Sequence, residues 1–285
     1  MNVLHGIRRA HARRRRLADA ADQAGRATPG LITTVSPKDD MMTWGQPEQY
    51  FSVGRWSPLA GIERGLGAAR APEPTRILDL PSGYGRVMRY LKVSWPAAHL
   101  TACDIMADAV DFCANTFGAR PIVSKEPLWE VDIGSDYDLI WSGSLLTHYD
   151  ADHWQPILRH FASALSSEGV LVFSTQGRPS HAFLSGSDEF PALTKNLVPY
   201  YGLEPSQAAQ VVEAVDATGF GFSLYPRPAN KDYGPANLVY GVSVALPSWV
   251  EQQISAAGLC TVLMEEGGWG KHQDLWTASA ASTTA

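Results

Sequence analysis

Arg76-Ile77-Leu78-Asp79-Leu80-Pro81-Ser82-Gly83-Tyr84-Gly85-Arg86 is the stretch whose reading decides the fold. A short apolar run gives way to a turn rich in proline and glycine, the pattern of a buried strand handing its chain to a helix. In a sheet of parallel strands such a turn lies at the carboxyl edge and holds a ligand against backbone N–H groups. Its spacing excludes two ligands. A dinucleotide fingerprint requires a third glycine, and Met88 stands where that glycine would be. A phosphate loop requires a Lys-Ser/Thr pair, and the turn has none. Instead Asp79 ends this run and Asp104 ends the next. A carboxylate beside the turn repels a pyrophosphate but suits a cationic amino-acid moiety. One that ends the second strand can accept both hydroxyls of a ribose.

Outward from that stretch, strands and helices alternate. Residues 84–94 read as a helix stopped by Pro96, 100–103 as a second strand, and 107–117 as a helix closed by Gly118. Residues 121–123 form a weak third strand and 137–141 a fourth. A helix over 151–165 carries Trp154, Ile157, Leu158, Phe161 and Leu165 on one face, and 169–173 is a continuous apolar fifth strand. Such alternation predicts an α/β fold, a Rossmann-like, mostly parallel sheet with helices on both faces. Upstream, a helix over 58–70 ends before Pro72 and Pro74. Residues 178–245 break the rhythm, with one helix at 205–218, capped by Gly219, between irregular stretches, and read as a helical and irregular lid insertion. A capping box, Ser248 to Glu251, opens a helix to Ala257, and 259–264 with 274–278 read as a closing strand pair. The expected units are a basic arm and linker (1–40), a cover and ligand-binding core (41–177), the lid (178–245), and a helix and strand pair completing the core (246–285).

The chain has 285 residues, 45% hydrophobic and 18% charged, which excludes collagen-like and disordered classes. No run approaches the roughly 18 apolar residues of a membrane span. The net charge of −6 conceals an asymmetry: residues 1–16 hold six arginines and no acid, so the other 269 residues, with 17 basic and 29 acidic side chains, carry −12. The arm lacks the apolar stretch of a secretory signal, and three cysteines without paired spacing suit the cytoplasm. An acidic body argues against nucleic-acid binding. The arm, without flanking aromatics, suits a solvated tail or a peripheral contact with an anionic membrane surface, an acidic partner or RNA.

The motifs from Ile77 to Arg86, then Asp104, then Tyr137 to Ser142, then Leu165 to Phe173, resemble a class I S-adenosylmethionine-dependent methyltransferase. The resemblance covers residues 75–177, and the strand pair at 259–278 fits the reversed last strand of that family's seven-stranded sheet. It implies S-adenosyl-L-methionine as cofactor, with Asp79, Gly83 and Gly85 lining its methionine end and Asp104 holding its ribose. Ile105 and Met106 would border the adenine, Ser124 and Lys125 would meet its edge, and Ser142 would lie beneath the sulfonium. Pro81 replaces the family's first turn glycine and leaves Gly83 and Gly85 in place. The pattern as a whole is similar to bacterial methyltransferases of unassigned substrate from glycan and secondary-metabolite settings.

After the fourth strand the chain reads Ser142-Gly143-Ser144-Leu145, not the Asn/Asp-Pro-Pro-aromatic loop that serves base amines. Neither a nucleophilic Pro-Cys nor a paired-glutamate motif is present. His148 follows, and an imidazole with an ordinary pKa of about 6.5 can take a hydroxyl proton at neutral pH. It is the expected general base; its alternative role is packing against the cofactor. Asp150 reads as a helix cap. His148, Asp150, Asp152 and His153 have the composition of a metal site, but a helix beginning near 151 makes them diverge, so no metal is expected. The substrate face is expected to use Trp44, Tyr50, Trp56, His181, Tyr233 and His272, an aromatic-rich set suited to a sugar, polyketide or aromatic acceptor. The expected function is O-methylation of a hydroxyl on a small molecule or glycan. The alternatives are a cofactor-binding scaffold or sensor and an RNA methyltransferase recruited by the arm.

Overall fold

The computed structural model describes residues 2–39, 41, 47–190, 202–225 and 239–280. Strands β1 (Arg76–Asp79), β2 (His99–Asp104), β3 (Arg120–Val123), β4 (Tyr137–Ser142) and β5 (Leu165–Thr175) are parallel. β6 (Phe220–Leu224) and β7 (Gly241–Ala245) form a separate antiparallel pair. β8 (Leu259–Trp269) and β9 (Gln273–Ala280) complete the main sheet, whose order is β3-β2-β1-β4-β5-β9-β8. β9 runs against both its neighbours, so it is the one reversed strand of seven.

Alternate residues of each strand serve opposite faces, and the helices divide accordingly. Leu78, Ile140, Leu171, Phe173 and Trp276 pack with α6 (Ala151–Ala164) and α9 (Pro247–Ala256) through Trp154, Ile157, Phe161, Val250 and Ile254. Ile77, Leu139, Val170, Val172 and Leu275 face the other way, onto α3 (Ala60–Ala69), α4 (Met88–Ser94) and α5 (Ala107–Phe117). Each such side chain, fully removed from water, contributes about 1.5–3 kcal/mol, so the two faces hold the sheet rigid and leave its carboxyl edge to carry loops.

A third, smaller cluster joins α1 (Asn2–Ala27) and α2 (Pro47–Gly54) to α4 through Ala20, Ala24, Tyr50, Phe51 and Tyr90. Within the expected 1–40 unit one helix runs to residue 27, and Ala20 and Ala24 in its last turns are buried. α7 (Arg178–Ser185) and α8 (Pro205–Thr218) follow β5. Stretches of 178–245 expected to be irregular contain β6 and β7. Helix α4 starts at Met88, not Tyr84, because Gly83 (φ 48°) and Gly85 (φ 75°) prolong the turn in left-handed backbone. α9 has Leu246 as N-cap and no side-chain cap bond, so the expected Ser248 box is not formed; Pro247, with its preset φ, opens the helix. No described helix is long and apolar enough to cross a membrane. Cys103, Cys113 and Cys260 are free thiols.

Candidate active site at the carboxyl edge

β1 ends in Asp79, which is 1% exposed, and one oxygen of its carboxylate, Oδ2, has no hydrogen-bond partner. Burial pushes its pKa well above the usual carboxylate range; Asp104 pushes the same way and Arg86 opposes. A cation placed against that oxygen would relieve the penalty. The turn beyond it passes through a cis Leu80-Pro81 peptide to Gly83 and Gly85. A Cβ on Gly85 would lie 2.3 Å from Phe117, so the backbone approaches α5 as only glycine allows.

Asp104, at the end of β2, ties this turn to the next. Its Oδ2 accepts from Gly83 N–H at 2.7 Å and its Oδ1 from Met106 N–H at 3.0 Å. Each carboxylate oxygen has a second lone pair, so the residue retains acceptor capacity for a ligand hydroxyl. Ile105 and Met106, half-buried, follow it into α5, while Ser124 is half-buried and Lys125 exposed after β3. Ser124 N–H donates to Asp104 O at 2.8 Å, which brings the third of these turns to the same place. Ser142, closing β4, is 1% exposed and its Oγ has no partner. An orphaned carboxylate oxygen, an orphaned hydroxyl and a glycine turn at one sheet edge fit a ligand bearing a cation and hydroxyl groups, as S-adenosylmethionine does.

His148 lies in the short 3-10 turn Leu146–His148. Its Nδ1 is 2.8 Å from the carbonyl of Gly241 in β7. A carbonyl only accepts, so Nδ1 carries the proton and Nε2 the lone pair. Burial lowers the imidazole pKa to about 4, against the opposing effect of that carbonyl, and the ring is neutral at pH 7. Tyr240 and Tyr225 flank it at ring distances of 4.5 and 5.9 Å, and Ser243 Oγ donates to Leu146 O at 2.8 Å. β7 thus fixes the turn that presents His148. Beside it Tyr149 donates to Glu126, and its ring stacks on His153. Asp150 occupies the N-cap position of α6 but caps nothing; its Oδ1 meets His153 Nδ1 at 2.5 Å. Among the described residues no group of His, Cys, Asp and Glu could hold a metal.

The expected substrate contacts fare differently. Tyr50 is 2% exposed, donates to Asp39 at 2.6 Å and accepts from Arg89 at 3.2 Å, in the interior beneath α1. His181 Nε2 lies 3.0 Å from the Asp216 carboxylate of α8 but makes no hydrogen bond among the described residues. His272 stands between β8 and β9, with its Nδ1 3.1 Å from Gly270 O, and its pKa is lowered by burial and by Arg86. Trp56 falls in the π-helical turn Arg55–Leu59, and Trp44 and Tyr233 lie outside the described residues.

Two features of the edge escaped the sequence. Gln273 forms a network with Ser144 and Ser174, bonded at 2.7–3.0 Å. Next to it Asp274 is fully buried; Gly267 N–H donates to its Oδ1 at 2.8 Å and its Oδ2 is unpartnered. Burial chiefly, with Glu266 adding, raises its pKa to about 7. The signal was the reversed strand itself, because β9, antiparallel to β5, begins where β5 ends.

Residues 77–169 match the family described as methyltransferase domain. The malonyl-[acyl-carrier protein] O-methyltransferase of Bacillus cereus is 28% identical over 113 residues, 39% of this chain and 41% of that one. Its Bacillus anthracis counterpart is 26% identical over 154 residues, 53% and 55% of the two. The chain therefore spans about half, or less, of the length of these curated relatives. Among solved structures, an S-adenosylmethionine-dependent methyltransferase from Clostridium acetobutylicum aligns with a TM-score of 0.51 at 12% identity, over 86% of this chain and 96% of that one. The Burkholderia thailandensis 1,6-didemethyltoxoflavin-N1-methyltransferase, solved with its substrate and S-adenosylhomocysteine, gives 0.50 at 13%, over 81% and 80%. At such identities the likeness concerns the fold. Residues 77–169 are thus similar to methyltransferase domains, and the sheet that carries them has the fold of an S-adenosylmethionine-dependent methyltransferase.

Proposed function

We propose that this chain transfers the methyl group of S-adenosylmethionine to a hydroxyl of a small molecule or glycan, with His148 as the proton acceptor. The observation that carries this reading is the tautomer of His148: the Gly241 carbonyl holds its proton on Nδ1, so a neutral Nε2 is ready to accept another. Asp79 would hold the cofactor's ammonium, Asp104 its ribose hydroxyls, and Ser142 would lie beneath the sulfonium, with the Gly83 and Gly85 backbone making room. When bound, the cofactor supplies an electrophilic methyl group for in-line displacement, which rewards positioning more than covalent help. His148 takes the hydroxyl proton at Nε2, and Tyr225 and Tyr240, beside it, offer ring faces to a sugar or aromatic acceptor. We assign residues 178–245 to the acceptor's lid on the same ground.

Calorimetry with S-adenosylhomocysteine and a library screen for its release test the reading together. Binding with turnover of a hydroxyl acceptor is expected, and no binding at millimolar ligand would sink it. His148→Asn should keep cofactor affinity and lower turnover about tenfold or more, within the range for a positioned base. A second reading has its own support. The guanidinium of Arg86 makes no hydrogen bond among the described residues and stands 6.0 Å over the Trp269 ring, and the curated relatives are named for a carboxyl acceptor. A carboxylate acceptor is already ionised and requires no base. Unchanged turnover of His148→Asn on a carboxylic acid would favour that reading.

A further inference from the structure

Arg89 is a fully buried cation, and its hydrogen bonds all go to two places. Its Nε donates to Gly85 O at 3.2 Å, the carbonyl that also accepts Arg89's own backbone N–H. Its Nη1 donates to Ile32 O at 2.7 Å and Thr34 O at 3.1 Å, and its Nη2 to Tyr50 Oη at 3.2 Å. Tyr50 passes the link on to Asp39 at 2.6 Å, also buried, so a carboxylate is joined to the guanidinium through a phenol. The rings of Tyr50, Phe51 and Phe117 lie 5.3–5.5 Å from the guanidinium carbon. One end of this network is the glycine turn; the other is made by Ile32, Thr34, Asp39 and Tyr50.

The segments that carry these residues touch the motif at three further points. Tyr90 donates to Phe51 O at 2.7 Å. A Cβ on Gly54 would stand 2.5 Å from Arg86 O, so α2 presses on the backbone that leaves the turn. Lys38 pairs with Asp108 at 2.9 Å, across the start of α5 and four residues beyond Asp104. A buried cation costs several kcal/mol to desolvate unless its donors are met, so Arg89 favours the state in which both the turn and these segments are in place.

We propose that the described segments 32–39 and Pro47–Gly54 form a strap whose docking sets the cofactor turn, and that Arg89 is the positioning residue that couples the two. The inference rests on the reading of that turn as the cofactor site. Coupling of this kind is reciprocal: if docking favours the binding-competent turn, the bound ligand must tighten the strap. Loss of Arg89 should then do more than soften the strap; it should uncouple the strap from the ligand.

The test is hydrogen exchange of the full chain with and without saturating S-adenosylhomocysteine, alongside calorimetry, for wild type, Arg89→Lys and Tyr50→Phe. The reporters are the bonded amides of Leu31, Lys38, Asp39 and Met41 and those of α2. In the wild type the ligand should slow their exchange. Arg89→Lys, which keeps charge but loses the planar fork, should bind about tenfold more weakly and show a protection ratio near one at saturation. Tyr50→Phe, which keeps the ring, should fall between the two and carries the same test if Arg89→Lys does not fold. A purely structural Arg89 would speed basal exchange and leave the ligand's protection ratio unchanged; that result, or wild-type affinity in both variants, overturns the proposal. A wild type that binds no ligand overturns the cofactor reading and this one with it.

Discussion

Asp274 is a buried carboxylate with one unpartnered oxygen, and pH exposes it. With its pKa raised to about 7, the folded chain keeps a proton between the ordinary carboxylate value of 3.8 and pH 7 that the unfolded chain gives up. Its contribution to stability is therefore whole below 3.8 and lost as pH rises through 7. Asp274→Asn removes that loss. Relative to wild type, its melting temperature should gain about 3 °C or more between pH 4 and pH 8, and a flat difference in thermal melts would contradict the assignment. Gly85→Ala acts through shape instead: a φ of 75° and a ring 2.3 Å from the new Cβ should lower the melting temperature by about 3 °C or more and weaken S-adenosylhomocysteine in parallel. Asp79→Asn leaves the shape and removes the charge. It should weaken the same ligand about tenfold or more without destabilising the fold, as calorimetry and a melt would show, because the lost interaction is a charge-assisted one.

At the scale of elements, the pair β6–β7 works as a brace. It bonds the His148 turn twice, through Gly241 O and Ser243 Oγ, and bonds the end of β5 through Ala245 N–H to Gln176 O at 2.8 Å. Ser243→Ala leaves the carbonyl of Leu146 without its side-chain donor. Faster hydrogen exchange over residues 144–149 is expected, with turnover reduced more than cofactor affinity. Nothing in the sequence announced this brace. β1, β2, β4 and β5 were legible because strands buried on both faces must be apolar throughout, helix α6 because its apolar face is regular, and α5 and α8 because each stops at a glycine. β6 and β7 are short, are far apart in sequence and carry no hairpin turn signal, so their pairing is a tertiary choice. Likewise the start of α4 depended on backbone angles of Gly83 and Gly85 that residue type permits but does not impose.

Across the whole molecule, the ends of strands told more than the middles of loops. Asp79, Asp104 and Ser142 were legible as site candidates because each terminates an apolar run, and topology then carries all three to one edge. Tyr50 was not, because an amphipathic ring suits a pocket wall and an interior equally; only the buried Asp39 and Arg89 decide between them. The charge asymmetry acquires a boundary here. In α1 Ala20 and Ala24 are buried and Leu17 packs beside them, all on the C-terminal side of the six arginines. Removing residues 1–16 should therefore leave the melting temperature within about 2 °C of wild type, whereas removal through Ala27 should lower it by more. Melts of the two truncations check this.

The reversed β9 also has a consequence for how the protein is made. It is the last of the described strands in sequence yet sits inside the sheet, between β5 and β8. During synthesis, β5 must wait with one edge unpaired until residue 280 has been joined to the chain. Its run of Val170 to Phe173 is the apolar edge that neighbouring chains would join first. A pause or truncation before residue 273 therefore leaves a sticky nascent chain, and completion of the final strand is the step that seals it.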